Sequence, residues 1–96
     1  MARLIWTEPA LADLDAIADY IALDKPDAAI QYVQQVFAAV ERLIRFPKSG
    51  AKVPETPHLS YRQIVVPPCR IFYRLEGEDI LIVFVMRGDN GYMRLI

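Results

Sequence analysis

Seven cationic side chains lie between residues 42 and 74: Arg42, Arg45, Lys48, Lys52, Arg62, Arg70 and Arg74, against one acid, Glu55. Three of them punctuate the otherwise largely apolar segment from Tyr61 to Arg74, YRQIVVPPCRIFYR. That segment reads as two strands joined at a Pro67-Pro68 corner, because proline cannot donate to a ladder and belongs at the turn. A strand face carrying Arg62, Arg70 and Arg74 is not expected to be buried core throughout. Guanidinium groups there must meet water, a carboxylate, a phosphate or a protein partner. The expectation is a sheet surface studded with arginine and aimed at an external macromolecule.

The distribution of charge sharpens this. The chain has a net charge of only −1, which argues against a general nucleic-acid binder. Residues 1–27 nevertheless hold six acids and two bases, a net of −4, while residues 42–74 reach +6. Such polarity suggests one basic face, although each half could equally be solubilising its own surface. Hydrophobic residues make up 54% of the 96, enough for a real core and too many for disorder. One small domain over 1–96 is the default at this length. No apolar run is long enough to span a membrane and no signal-peptide pattern opens the chain, so no membrane partner is expected. The single cysteine, Cys69, excludes an internal disulfide and fits a reducing cytoplasm. With His58 the only histidine, the residues offer no zinc set, and no metal or cofactor is expected.

The elements that must position the basic residues follow from periodicity. Residues 3–7 look like a first strand, with Thr7 as a helix N-cap before Pro9. Leu11, Leu14, Ile17 and Ile21 recur at helical spacing, with Asp13, Asp15 and Asp19 largely off that stripe, which predicts an amphipathic helix of about 15 residues. Asp24 is the expected cap of a second helix opened by Pro26. Ala29, Val33, Val36, Phe37, Val40, Leu43 and Ile44 form its expected buried face, and Phe46-Pro47 its end. The short connection makes the pair an antiparallel hairpin. Residues 47–60, with three prolines and a glycine, read as a surface loop. Strands follow at 61–66 and 70–76. A turn at Glu76 to Asp79 leads into an apolar run, Ile80 to Val85, expected to lie centrally in the sheet. The order implies an α+β fold: an N-terminal strand and a helical hairpin packed on a mainly antiparallel β-sheet.

Taken in order, several fragments resemble the RelE/ParE superfamily of toxins from type II toxin–antitoxin systems, most closely its ParE-like branch. They are Ile5-Trp6-Thr7 with Ala10, Asp13-Leu14, Ile17 and Tyr20-Ile21; Pro26 with Ala28-Ala29; Leu43, Phe46-Pro47 and Gly50; Pro54-Glu55; and Tyr61-Arg62, Val65-Val66 and Arg70 to Arg74. The resemblance covers almost the whole chain. It implies a small toxin silenced by a cognate antitoxin whose C-terminal segment wraps it. One branch of the superfamily cleaves mRNA in the ribosomal A site. The ParE-like branch inhibits DNA gyrase and need not be an enzyme.

The two mechanisms ask for different residues. RNA cleavage needs a group to take the 2′-hydroxyl proton, one to protonate the leaving 5′-oxygen, and cations for the transition state. Arg62, Arg87 and Tyr92 are the candidates, with Lys48, Lys52 and Arg70 nearby to hold phosphate. No histidine lies near the end of the final strand, where many relatives carry one. Gyrase inhibition needs only a binding surface, for which mixed aromatic and arginine content is well suited. Lys48, Lys52, Tyr61, Arg62, Arg70, Arg74, Arg87 and Arg94 are the expected binding residues, supported by Tyr73 and Tyr92. The gyrase reading is preferred; a ribosome-dependent mRNA endoribonuclease is the alternative.

Structural roles compete for the same residues. Arg62 could pair with Glu55 or Glu76; Arg70 and Arg74 share a strand face with Phe72, so one of them could stack on an aromatic ring or cap a helix carboxylate. Tyr73 and Trp6 read as packing residues, His58 as a solvated loop side chain and Cys69 as a small buried hydrophobe. Tyr20 and Tyr32 are expected to border the groove that an antitoxin fills.

Overall fold

In a computed structural model, residues 2–87 are described. The elements are β1 (Arg3–Trp6), α1 (Glu8–Ala22), α2 (Pro26–Glu41), β2 (Ala51–Lys52), β3 (Arg62–Val66), β4 (Cys69–Glu76) and β5 (Asp79–Arg87), with a 3-10 turn at Arg42–Ile44. They form a five-stranded sheet in the order β1-β5-β4-β3-β2. β1 pairs with β5 in parallel, and every other pairing is antiparallel. The α+β architecture is the one expected, with the two-residue β2 as an addition inside the 47–60 loop.

Local chemistry sets the helix limits. The Thr7 hydroxyl accepts from the Ala10 N–H and donates to the Ile82 carbonyl, so one side chain caps α1 and ties it to β5. The cap of α2 is Lys25, not Asp24, and it makes no side-chain capping bond. A residue before proline is driven out of the α region, so the position ahead of Pro26 has to be the non-helical one. The helix stops at Glu41 and tightens into the 3-10 turn before reaching Pro47.

Burial corrects both helix stripes. In α1 the buried positions are Ala10 and Leu14, with Ile17 and Ile21 packed against the core, while Leu11 is 46% exposed. Those four lie within about 60° of arc, and Leu11 stands about 100° from Ala10. In α2 the core face is Ala29, Tyr32, Val36, Ala39 and Val40, continued by Leu43; Phe37 and Ile44 are exposed. Ranking residues by hydrophobicity favoured Phe37 over Tyr32 and Ala39 and rotated the expected face. Phe37 packs instead edge-on against Trp6, ring centroids 5.2 Å apart. Tyr32 is core, not groove border: its hydroxyl donates to the Val66 carbonyl at 2.6 Å. Burial first, then contact with Cys69, pushes that phenol well above its ordinary pKa.

Register divides the sheet residues between two faces, because residues opposite one another on antiparallel strands point the same way. Cys69, Ile71 and Tyr73 oppose Val66, Ile64 and Arg62 on β3 and face the helices. Arg70, Phe72 and Arg74 face the other way. A bulge between Phe72 and Tyr73 leaves Val83 as the extra residue on β5. It explains why Ile80, Ile82 and Val85 all reach the helix-side core although their spacing breaks a strict alternation.

Candidate functional site

The arginines expected on one open face are split between two faces, and each is engaged by the chain itself. Arg70 is 8% exposed, with Nη1 and Nη2 gripping the two Glu55 carboxylate oxygens at 3.0 and 3.1 Å. Its Nε donates to Gln63 Oε1, and its guanidinium carbon sits 4.8 Å from the Phe72 ring centre. A fork held by a carboxylate, an amide and an aromatic face is structural, so Arg70 is not the surface cation that its sequence position suggested. The Arg70 hydrogen bonds hold the Glu55 carboxyl below its ordinary pKa. Arg74 pairs with Glu76. Arg62 meets neither Glu55 nor Glu76: its Nη1 donates to the Gly50 and Lys48 carbonyls at 2.8 and 3.2 Å.

Glu55 belongs to a segment that lies by the second face of the sheet. Val53 and Thr56, on either side of Glu55, are buried, and Val53 and Phe72 both lie outside the helix-side cluster. Tyr61 meets Phe84 edge-on, centroids 6.3 Å apart. The 47–60 stretch is thus in part a cover for the sheet.

The remaining cations lie elsewhere. Lys48 and Lys52 are exposed before and on β2. Arg87 ends β5 on the helix side, its guanidinium carbon 5.5 Å from the Tyr20 ring centre. Tyr92 and Arg94 fall outside the described residues. The register puts Arg62 level with Tyr73 and Arg87 level with Cys69, two strands away. Their Cα atoms are therefore roughly 16 Å apart, from four residues of rise and two strand spacings. Two side chains so placed do not converge on one phosphate with ease.

Apolar surface is more plentiful. Ile17, Ile21 and Pro68 line a groove of about 600 Å³ between the end of α1 and the β3–β4 turn, with Tyr20 and Arg87 at its rim. Tyr20 is 64% exposed, and Leu23, at the hairpin tip, 86%. Ile30, Phe46 and Val65 are also exposed. Sequence reasoning found Tyr20 but assigned Ile17 and Ile21 wholly to the core. That the Pro67-Pro68 corner would face α1 was not readable from strand pattern. The groove can bury apolar side chains and offers a cation at one end, a combination suited to an amphipathic peptide.

Comparison with known proteins agrees with this architecture. A family model described as the ParE toxin of type II toxin–antitoxin system, parDE, matches residues 4–92. The protein designated Y4kP from Sinorhizobium fredii (strain NBRC 101917 / NGR234) is 34% identical over 96 residues, spanning 98% of this chain and 96% of the relative. Toxin RelE2 of Caulobacter vibrioides is 38% identical over 83 residues, 86% of this chain and 91% of the relative. Toxin ParE3 of the same organism is 31% identical over 90 residues, 92% and 88% of the two chains. A solved structure of a chromosomal ParDE toxin–antitoxin system from P. aeruginosa superimposes with a TM-score of 0.76 at 32% identity, covering 93% of this chain and 98% of that one.

Proposed function

Because the chain belongs to the ParE toxin family of type II toxin–antitoxin systems, we propose that it acts by binding, inhibiting DNA gyrase rather than cutting RNA. The family implies a cognate antitoxin as partner. The observation that supports a binding mechanism is the engagement of the sheet arginines. Arg70 and Arg74 are matched to the chain's own carboxylates, Glu55 and Glu76. Phosphoryl transfer needs cations free to meet the charge that develops in the transition state. A protein interface needs aromatic and aliphatic anchors with arginine nearby, and Tyr20, Leu23 and Arg87 supply that around the groove.

In this reading the antitoxin lays an amphipathic segment into the groove beside α1, and the exposed apolar side chains make the free chain poorly soluble until it does. Expression from a tightly controlled promoter tests the target. Gyrase inhibition predicts filamentous cells, a DNA-damage response and blocked supercoiling by purified gyrase. Rapid translation arrest with mRNA cuts inside codons, and supercoiling left intact, would replace this reading with ribosome-dependent cleavage.

A further inference from the structure

Beyond the groove beside α1, the loop ahead of β3 closes a separate concavity of about 320 Å³. Its walls carry three basic residues, Lys52, His58 and Arg62, with Leu59 and Tyr61 among them and, among the described residues, no carboxylate. The arrangement is built from beneath. The buried Tyr73 hydroxyl donates to the Pro47 carbonyl at 2.7 Å and accepts from the Gly50 N–H at 2.9 Å. A Cβ at Gly50 would stand 2.5 Å from that hydroxyl, so only glycine fits the turn as it is. The turn in its turn offers the Gly50 and Lys48 carbonyls to Arg62. One phenol fixes a backbone turn, and the turn fixes a guanidinium at the wall. A cation oriented in advance loses less entropy when an anion arrives. Lys52 beside it is exposed and makes no ion pair with the described residues.

We propose that this concavity is a carboxylate-binding site, and that its occupant is an acidic side chain with an apolar neighbour on the antitoxin. The proposal rests on neutralisation by a protein antitoxin and is independent of the gyrase target. Charge complementarity selects an anion. The walls select a peptide, because Leu59 and Tyr61 give an adjacent apolar side chain something to cover. A nucleic acid is the poorer occupant: its charges recur along the strand and call for a row of open cations. Arg70 and Arg74, elsewhere on the sheet, already hold carboxylates.

The chain's only histidine lines the site, so the His58 ring signals report on it without ambiguity in an NMR titration of the full chain. The probes are acetyl-Leu-Glu-Leu-Glu-Leu-amide, its Gln-for-Glu counterpart, inorganic phosphate and a single-stranded RNA hexamer. The Glu peptide should shift those signals saturably, and the Gln peptide should bind at least tenfold more weakly. Lys52→Glu, on an exposed position that cannot disturb the core, should weaken the Glu peptide at least tenfold, and Lys52→Arg should retain it. Equal response to the Gln peptide, no response to either, or tighter binding of phosphate or RNA overturns the proposal. Growth rescue by a co-expressed antitoxin with no peptide response at His58 would sink the site and leave neutralisation standing. Failure of rescue would instead remove the reading beneath it.

Discussion

The two faces of this sheet are covered by different physics. On one side α1 and α2 lay aliphatic side chains over Ile71, Ile80, Ile82 and Val85. Apolar burial there is non-directional and summed over many contacts, at about 25 cal/mol per Å². On the other side a stretch without regular structure lies by Phe72, and its ordered grip is Glu55 on Arg70, backed by Gln63. The first cover degrades gradually as atoms are removed. The second adds a directional ion pair to the burial of Val53 and the Tyr61–Phe84 contact, and should open as a unit. The same chain therefore joins a rigid platform to a separable cover, and substitutions on the two sides should fail in different ways.

The largest effect belongs to the helix side. Ile82→Ala empties a fully buried position and should cost about 3 kcal/mol, lowering the melting midpoint by roughly 15 °C. Urea unfolding measures it; a loss below about 1 kcal/mol would mean that the helix face does not dominate the fold. Next comes the joint between the two sides. Tyr73→Phe leaves the Gly50 N–H and one Pro47 carbonyl lone pair without their partner, at about 2 kcal/mol. Burial raises the pKa of that phenol, against the opposing pull of the Gly50 N–H and the Arg62 charge, so it stays a neutral donor at physiological pH. Gly50→Ala should cost a similar amount through overpacking. The double variant should not rescue it, because Tyr73 Cε1 at 2.6 Å and the Gln63 carbonyl at 2.8 Å remain in the way of the added methyl.

The same contrast explains what could be read without coordinates. Helix-side order was legible because burial imposes a period: strand, two helices and three strands followed from apolar spacing and proline positions. The bulge at Val83 was not, since a single extra residue leaves no local mark in an apolar run. Arg70 and Glu55 could each be seen as charged, but their pairing joins residues 15 apart through a loop of undetermined path. Pattern analysis therefore assigned Arg70 to the surface and offered Glu55 to Arg62. The groove beside α1 was half legible: of the two tyrosines expected to border it, Tyr20 does and Tyr32 is core. Pro68 joined it only through the hairpin's placement under α1.

Glu55→Gln tests the separable cover. It leaves Arg70 nearly buried without its counter-charge, which costs about 2 kcal/mol because the pair sits under one loop that water can re-enter. Hydrogen exchange should accelerate across 53–60 while β4 and β5 stay protected; uniform acceleration would mean that the cover and the platform unfold together. The pH dependence has a fixed sign. The folded Glu55 carboxyl lies below its ordinary 4.5, so its contribution is complete above that value and fades as pH falls through the lowered one. Wild-type stability should therefore drop faster with acid than that of the Gln variant.

The smallest effect is the control that gives the others meaning. Arg3 grips Asp79 with two hydrogen bonds, 3.1 and 2.8 Å, much as Arg70 grips Glu55. Arg3 is 73% exposed, however, whereas the Arg70 side chain is 10% exposed. Water screens the first pair and reclaims either partner when the other is removed, so its geometry carries little free energy. Asp79→Asn should leave the urea midpoint unchanged within error, and 0.5 M salt should not alter that result. Should Asp79→Asn and Glu55→Gln destabilise equally, burial would not be what distinguishes the two pairs, and the Glu55–Arg70 contact would not be what fastens the cover to the second face.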